Sequence, residues 1–275
     1  MRFRHTFITT AVSAAALSAL ALGAAACSDD GGSEEDEAAI QAVVDNVNQA
    51  QLNGDVDLFL AQFTEQGLQE VFFTTPDQVR ENPEEITIES EDEFVSIEGD
   101  IEFDGDTAEA TIVEPQEEGS AFVSPFLIEF TKEGDVWKVN GGGAGNAEEP
   151  DNASTVSLGL SEFAFDMDES ELEAGAPVLF EAENTGDQPH HFVLFKLDEG
   201  VVLEDALQEE DPEGVHELGG SAPFHPGNEA NVAFTANLEA GRYALLCFFP
   251  DISKENPEEQ MPHFLLGMVK EFEVN

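Results

Sequence analysis

Apolar positions along the chain change from a helical to an alternating spacing. From Glu34 to Asn53 apolar residues recur every three or four positions, which predicts an amphipathic helix. The triplet Asn53-Gly54-Asp55 ends that helix, and the stretch VDLFLAQF predicts a second, shorter one. Strict alternation then predicts the strands ITIES, FVSIEGDIEF, DTAEATIVEP, SAFVSPFLIEF and DVWKVN. Helices followed by an antiparallel sheet define an α+β domain, to which we assign residues 35–140.

A second region, residues 155–275, has strand after strand with one short helical excursion, VVLEDALQEE. Its predicted strands lie in TVSLGLSEFAF, APVLFEAENTG, HHFVLFKL, NVAFTANLEAGRYALLCFF and GMVKEFEV. Many short strands separated by turns predict an all-β sandwich. Between the two regions, the glycine-rich and acidic segment 141–154 predicts a flexible linker.

The chain begins with the pattern of an export signal. Arg2 and Arg4 precede an alanine-rich apolar run and small residues, which predicts a signal peptide over residues 1–26 and an acidic tether over 27–34. Cys27 directly after Ala24-Ala25-Ala26 resembles the lipobox of bacterial lipoproteins. The resemblance implies that Cys27 carries a lipid that holds the protein on the extracytoplasmic face of the cell membrane. An ordinary cleaved signal with an incidental cysteine is the alternative.

The formal net charge is −51, from 9 basic and 60 acidic residues. This balance excludes nucleic acid as a partner, because phosphate contacts need lysine and arginine. Hydrophobic residues make up 41% of the chain and include 22 phenylalanines, so the charge does not indicate disorder. An acidic surface poor in lysine resembles proteins of salt-loving organisms, where salt screens the self-repulsion. The charge therefore indicates habitat more than activity.

The first domain contains neither histidine nor cysteine. Its stretches AIQAVVDNVNQAQLNGDVDLFLAQFT, DGDTAEATI and EGDVWKVNG resemble nuclear transport factor 2-like (SnoaL-like) domains. The resemblance implies that the sheet curls into a cone and that the domain serves as a binding or assembly module. The acid/base pairs of the enzymatic members have no clear equivalents here, so we assign no catalytic residue.

The second region contains four residues whose side chains bind soft metal ions. His190 begins a strand, Cys247 ends one, His263 lies in the next loop and Met268 precedes the last strand. If Cys27 carries lipid, Cys247 is an unpaired thiol in an oxidising compartment, where burial or a bound metal would protect it. The stretches NTGDQPHHFVLF, LEAGRYALLC and HFLLGMVKEFEV resemble the cupredoxins, whose blue copper fold is a Greek-key β-sandwich.

The cupredoxin resemblance implies copper as cofactor. Cys247 would be the strong equatorial ligand, His190 and His263 the imidazole ligands, and Met268 the weak axial ligand. Such a set accepts both oxidation states of copper, which implies one-electron transfer with a redox protein as partner and no enzymatic activity. His191 is the rival of His190, which we prefer because it follows Pro189 and because strand alternation turns His191 to the opposite face.

The spacing between two of these ligands leaves open whether the protein binds a metal. Fifteen residues separate Cys247 from His263, more than in the tight loop of simple cupredoxins. The insertion either folds away as a surface flap or reflects the loss of the metal site. Two other functions therefore compete: a metal-free cell-surface binding protein, and a hydrolase with Cys247 as nucleophile and His263 as base. The hydrolase needs an orienting group and an oxyanion hole, neither of which is visible.

Overall fold

The computed structural model describes residues 32–113, 121–208, 212–254, 256 and 259–275. Their contacts form two compact units, one from residues 32–113 and 127–142, the other from residues 121–126 and those from 143 onward. The signal peptide predicted over 1–26, Cys27 and most of the tether lie outside the described residues. Within the described part, no helix is long and apolar enough to cross a bilayer.

The first unit begins with four helices: α1 (Glu34–Asn53), α2 (Val56–Ala61), α3 (Glu65–Phe72) and α4 (Pro76–Glu81). α1 has the bounds that its apolar spacing predicts. Ser33 and Asp36 form a reciprocal capping box at its start, and Gly54, at φ 64°, ends it in the left-handed conformation. α3 and α4 were not predicted; their first turns are capped by the side chains of Thr64 and Thr75.

A four-stranded sheet follows, in the order β1-β2-β4-β5. Its strands are β1 (Ser96–Asp104), β2 (Thr107–Val113), β4 (Phe126–Glu133) and β5 (Val136–Ala144), whereas β3 (Phe122–Val123) belongs to the second unit. The predicted strand ITIES is wrong, because Pro83–Ile86 forms a 3-10 turn and no strand follows before Ser96. Helices followed by a sheet agree with the predicted α+β class, and the cone shape stays a prediction.

The sheet and α1 each bury one set of apolar residues in this unit. Alternate residues of β2 are buried, as are residues of α1 at helical spacing. The buried set includes Ile40, Val43, Val44, Val47, Ala108, Ala110, Ile112, Ile128, Phe130, Trp137 and Val139. Polar contacts join α1 to the rest of the unit: the Asn48 side chain bonds both backbone groups of Val95, at 2.8 and 3.1 Å.

Asp36 connects the start of α1 to the sheet. Its carboxylate accepts hydrogen bonds from Lys132 Nζ at 2.6 Å and from Trp137 Nε1 at 2.9 Å. Lys132 also lies 5.4 Å from the centre of the Trp137 ring. The hydrogen bond from Lys132, followed by those from Trp137 and Ser33, holds the pKa of Asp36 well below its usual range.

We expect Asp36→Asn to lower the free energy of unfolding at neutral pH. Because the folded-state pKa of Asp36 is depressed, its contribution is present above the unfolded pKa of about 3.9 and is lost as the pH falls. The difference between variant and wild type should therefore shrink below that pH in denaturant titrations. Asp45→Asn, an exposed substitution on the same helix, is the control. A gap that stays constant into acid would contradict this role.

The second unit is a pair of sheets in the orders β10-β9-β12-β13 and β3-β11-β8-β6-β7. Its elements are β6 (Ser154–Ser161), β7 (Ala164–Met167), β8 (Val178–Asn184), β9 (Val193–Leu197), α5 (Leu203–Ala206), β10 (Val215–Gly220), β11 (Glu229–Phe234), β12 (Gly241–Leu246) and β13 (Val269–Val274). β6 pairs with β8 in parallel, and the other described pairings are antiparallel.

The main core of this unit is built from residues of both sheets. It includes Val156, Leu158, Phe180, Leu194, Val232, Tyr243, Leu245 and Phe272. A second cluster packs α5 against the other face of the four-stranded sheet, through Leu203, Phe195 and Ala244. Since β9 and β12 are covered on both faces, their sequences are nearly continuous apolar runs. His190 lies three residues before β9, and Cys247 directly follows β12.

Three details differ from the sequence-based expectations. Part of the segment predicted as a flexible linker belongs to the fold, because residues 141–144 complete β5 and the Ala147 amide donates to the Asn231 carbonyl at 2.8 Å. The stretch SAFVSPFLIEF is not one strand: Pro125 separates β4 from β3, which pairs with β11. Finally, TVSLGLSEFAF folds back on itself as the β6–β7 hairpin.

Candidate metal site

A buried asparagine fixes the turn that carries His190. Asn184 ends β8, and its Nδ2 donates to the carbonyls of Gln188 and Phe224 at 2.8 and 2.7 Å. Its Oδ1 accepts from the Gly186 amide at 2.8 Å. His190 and Phe224 also exchange both backbone hydrogen bonds, at 3.0 and 2.8 Å. The backbone of His190 is therefore held from two directions.

Backbone hydrogen bonds draw Cys247, His263 and Met268 together in spite of the long spacing. The His263 amide donates to the Phe249 carbonyl at 2.8 Å, and the Phe264 amide donates to the Cys247 carbonyl at 2.8 Å. The Cys247 amide donates to the Met268 carbonyl at 3.3 Å. The segment between Phe249 and His263 therefore begins and ends at neighbouring points, which agrees with the surface-flap alternative.

Three side-chain donors converge at this end of the sandwich. Nδ1 of His190 lies 3.1 Å from Nδ1 of His263, which lies 3.5 Å from Sγ of Cys247. All three side chains are 0% exposed, and their ligand atoms lie within 4.8 Å of one another. In the described part of the chain no other three donors of this kind come together. Met268 is also 0% exposed, in the core between the sheets.

Two of the three donor separations are close to those around one metal ion. Bonds of about 2.0 Å to nitrogen and about 2.3 Å to sulfur separate two ligands on a trigonal or tetrahedral centre by about 3.3–3.7 Å. The observed separations of 3.1 and 3.5 Å are close to this range. Two imidazoles and a thiol are donors for copper and zinc, and poor donors for calcium or magnesium. The residues present therefore fit a small transition-metal ion.

His191 does not belong to the cluster. Its Nε2 accepts the Phe248 amide at 2.9 Å, and its ring stacks on Phe249 with centroids 4.2 Å apart. Alternation along the chain explains the difference: Phe192 packs in the main core and Val193 in the cluster on the opposite face, so His190 and His191 also point to opposite sides. The structure thus brings His190 to the other two donors and gives His191 a role in holding the segment after Cys247.

Burial shifts the pKa values of all three donors toward their uncharged forms. It lowers the pKa of His190, and, with the neighbouring His190, it lowers the pKa of His263 to about 4. It raises the pKa of the Cys247 thiol to about 11. Both rings are neutral at neutral pH, and the thiol is protonated unless a cation lies beside it. A buried thiol with a raised pKa is a poor nucleophile, so the site does not favour the hydrolase alternative.

Sequence reasoning missed a residue pair that packs on both histidines. Glu162 and Phe163 form the turn between β6 and β7. Oε1 of Glu162 lies 3.4 Å from Nε2 of His190, and the Phe163 ring meets the His263 ring edge-on with centroids 5.0 Å apart. The stretch SEFAF continues the apolar alternation without glycine, proline or asparagine, so no turn signal was available.

No family model and no curated protein matches this sequence. Among solved structures, the chain is similar to auracyanin from Roseiflexus castenholzii, with 22% identity, a TM-score of 0.29, and coverage of 45% of this chain and 98% of that chain. It is similar to auracyanin A, a "blue" copper protein from Chloroflexus aurantiacus (25% identity, TM-score 0.30, coverage 44% and 98%).

It is also similar to an NTF2-like protein from Shewanella baltica (16% identity, TM-score 0.31, coverage 41% and 94%). These are the two kinds of protein that the sequence patterns resemble.

Proposed function

We propose that this protein binds one copper ion through His190, Cys247 and His263, and that it uses the ion for one-electron transfer. The observation that carries the proposal is the convergence of three fully buried N and S donors at 3.1 and 3.5 Å. Copper in such a donor set supplies a single-electron couple. Met268 would add a weak thioether donor, since it is buried and its backbone carbonyl accepts the Cys247 amide.

The surrounding residues keep water out and the donors in place. Phe163 covers the His263 ring, and Asn184 fixes the turn before His190. When the ligands are held in place and water is excluded, the positions of the ligands change little between two oxidation states. A small change in geometry favours rapid electron exchange. A substrate would need an open ligand position, whereas the three donors here are fully covered. Electron carriage therefore fits the geometry better than catalysis on a bound substrate.

The wider biological setting is part of the same proposal. The signal pattern and Cys27 support a lipid-anchored protein on the extracytoplasmic face of a membrane. A redox protein would then be its partner, and the first unit would serve as a binding or assembly module. The acidic composition supports a saline habitat. Labelling with a radioactive fatty acid in cells, compared between wild type and Cys27→Ser, tests the anchor.

A copper titration of residues 28–275, in concentrated salt that screens the acidic surface, tests the site. We expect one equivalent of Cu(II) to produce an intense visible thiolate-to-copper band and one paramagnetic centre. The band should disappear on reduction and return on oxidation. A folded chain that gives no band and keeps a titratable thiol would overturn the proposal, and would instead favour a metal-free binding protein.

A further inference from the structure

The turn between β6 and β7 places a carboxylate behind one of the proposed ligands. Glu162 Oε1 lies 3.4 Å from Nε2 of His190, on the side of the ring away from the donor cluster. Within the described residues no other carboxylate lies at ion-pair distance from the ring of His190 or His263. The proposed copper ligands do not include Glu162, and its side chain is only 30% exposed.

The carboxylate is fixed by the same turn that carries His190. Its Oε1 accepts the amides of Asp187 and Gln188 at 2.7 and 2.8 Å. Gly186 leaves room for this contact, because a Cβ there would lie 2.6 and 2.7 Å from the two carboxylate oxygens of Glu162. Two amide donors on one carboxylate oxygen favour its ionised form, because each hydrogen bond is stronger to a charged acceptor. The group facing His190 is therefore an anion.

The other partner in this contact is a buried nitrogen. Nε2 of His190 is inaccessible to solvent and has no hydrogen-bond partner of good geometry in the described part of the chain. A neutral imidazole carries one proton, on either nitrogen. An ionised carboxylate can only accept, so it favours the proton on Nε2 and leaves the lone pair of Nδ1 facing the cluster. The 3.4 Å contact is long for a hydrogen bond but within ion-pair distance.

We propose that Glu162 is the positioning residue of this site: it holds the proton of His190 on Nε2 and biases the metal toward its oxidised state. The first role follows from the contact alone. The second rests on the proposed copper site, because a nearby negative charge stabilises the more positive of two oxidation states. Histidine ligands of metal sites commonly donate their second N–H to such a partner.

The protonation of His190 is tested without copper. Long-range proton–nitrogen NMR spectra of metal-free residues 28–275 should show His190 protonated on Nε2. Glu162→Gln keeps an oxygen in the place of Oε1, beside the two amides and Nε2, but removes its negative charge. The preference for a proton on Nε2 should therefore weaken, so that the proton moves to Nδ1 or the two forms mix. Glu181→Gln, an exposed change in β8 with the same loss of charge, should leave the spectrum unchanged.

The redox role is tested with the copper-loaded chain. Glu162→Gln should lower the ratio of Cu(II) to Cu(I) affinity about tenfold, which raises the potential of a one-electron couple by about 59 mV. Gly186→Ala should shift the ratio in the same direction, because it displaces the carboxylate without removing its charge. Glu181→Gln should again have no effect.

The outcomes separate the two proposals. If the wild type binds no copper while Glu162→Gln moves the proton of His190, the copper function fails and the positioning role stands. If copper binds but neither the proton nor the affinity ratio changes, the role of Glu162 is overturned and the copper function stands. A changed proton with an unchanged ratio would overturn the redox part alone.

Discussion

Replacing Cys247 with serine should abolish the visible band completely and weaken Cu(II) binding by more than about 100-fold. Changes to residues that only support a metal ligand already cost about 10–100-fold, and Cys247 is the sulfur donor itself. Residues 28–275 contain no other cysteine, so the band and the thiol both report on this one residue. Optical titration with Cu(II), followed by competition against a chelator, measures both effects.

Matched histidine variants show whether the loss is specific. His263→Ala should also remove the band, because it removes a donor that lies 3.5 Å from Cys247 Sγ. His216→Ala should retain it, since His216 lies on β10, is largely exposed and contacts Asp198. Circular dichroism of each variant must show a folded chain. A band that persists in folded Cys247→Ser would place the copper elsewhere and contradict the proposed ligands.

Substituting Asn184 with alanine should destabilise the second unit and weaken the metal site together. The variant leaves the Gln188 carbonyl and the Gly186 amide without their buried partner. Each orphaned group costs about 1–3 kcal/mol, so we expect a loss of about 2–4 kcal/mol. Since the turn carries His190, Cu(II) affinity should fall about tenfold or more as well. Urea unfolding and copper competition measure the two effects.

Asn146→Ala is the control for this prediction. Asn146 is exposed, and its Oδ1 accepts one described hydrogen bond, from the Asn231 amide at 2.9 Å. Its loss should cost about 1 kcal/mol and leave copper binding unchanged. Equal costs for Asn184→Ala and Asn146→Ala would mean that the turn before His190 is not held by Asn184.

The sequence predicted those parts of the fold that local pattern determines. α1 was predicted to the residue, because its apolar spacing and the Gly54 stop are both local signals. β8 lies within the predicted stretch APVLFEAENTG. The choice of sheet is not local: alternation in SAFVSPFLIEF predicts strands but does not determine that Phe122–Val123 pairs with β11, more than a hundred residues later.

The metal site likewise has parts that the sequence indicates and parts that depend on the folded structure. The order His190, Cys247, His263 and Met268 pointed to the cluster that the structure forms from the first three. Glu162 was invisible to sequence reasoning, because it meets His190 only after β6 and β8 pair in parallel. Metal donors can be recognised from their residue types. The residues that support them have no distinctive type, so they are recognised only once the folded structure shows what they contact.

The backbone contacts that pin His263 to Phe249 have a consequence for protein engineering. Pro250 and Pro262 face each other across an isolated bridge, so the chain enters and leaves the insertion at neighbouring points. The length of the intervening segment is therefore uncoupled from the position of His263. Surface loops with closed ends tolerate inserted sequence well. An affinity tag or a fluorescent label inserted there should therefore leave the position of His263 unchanged.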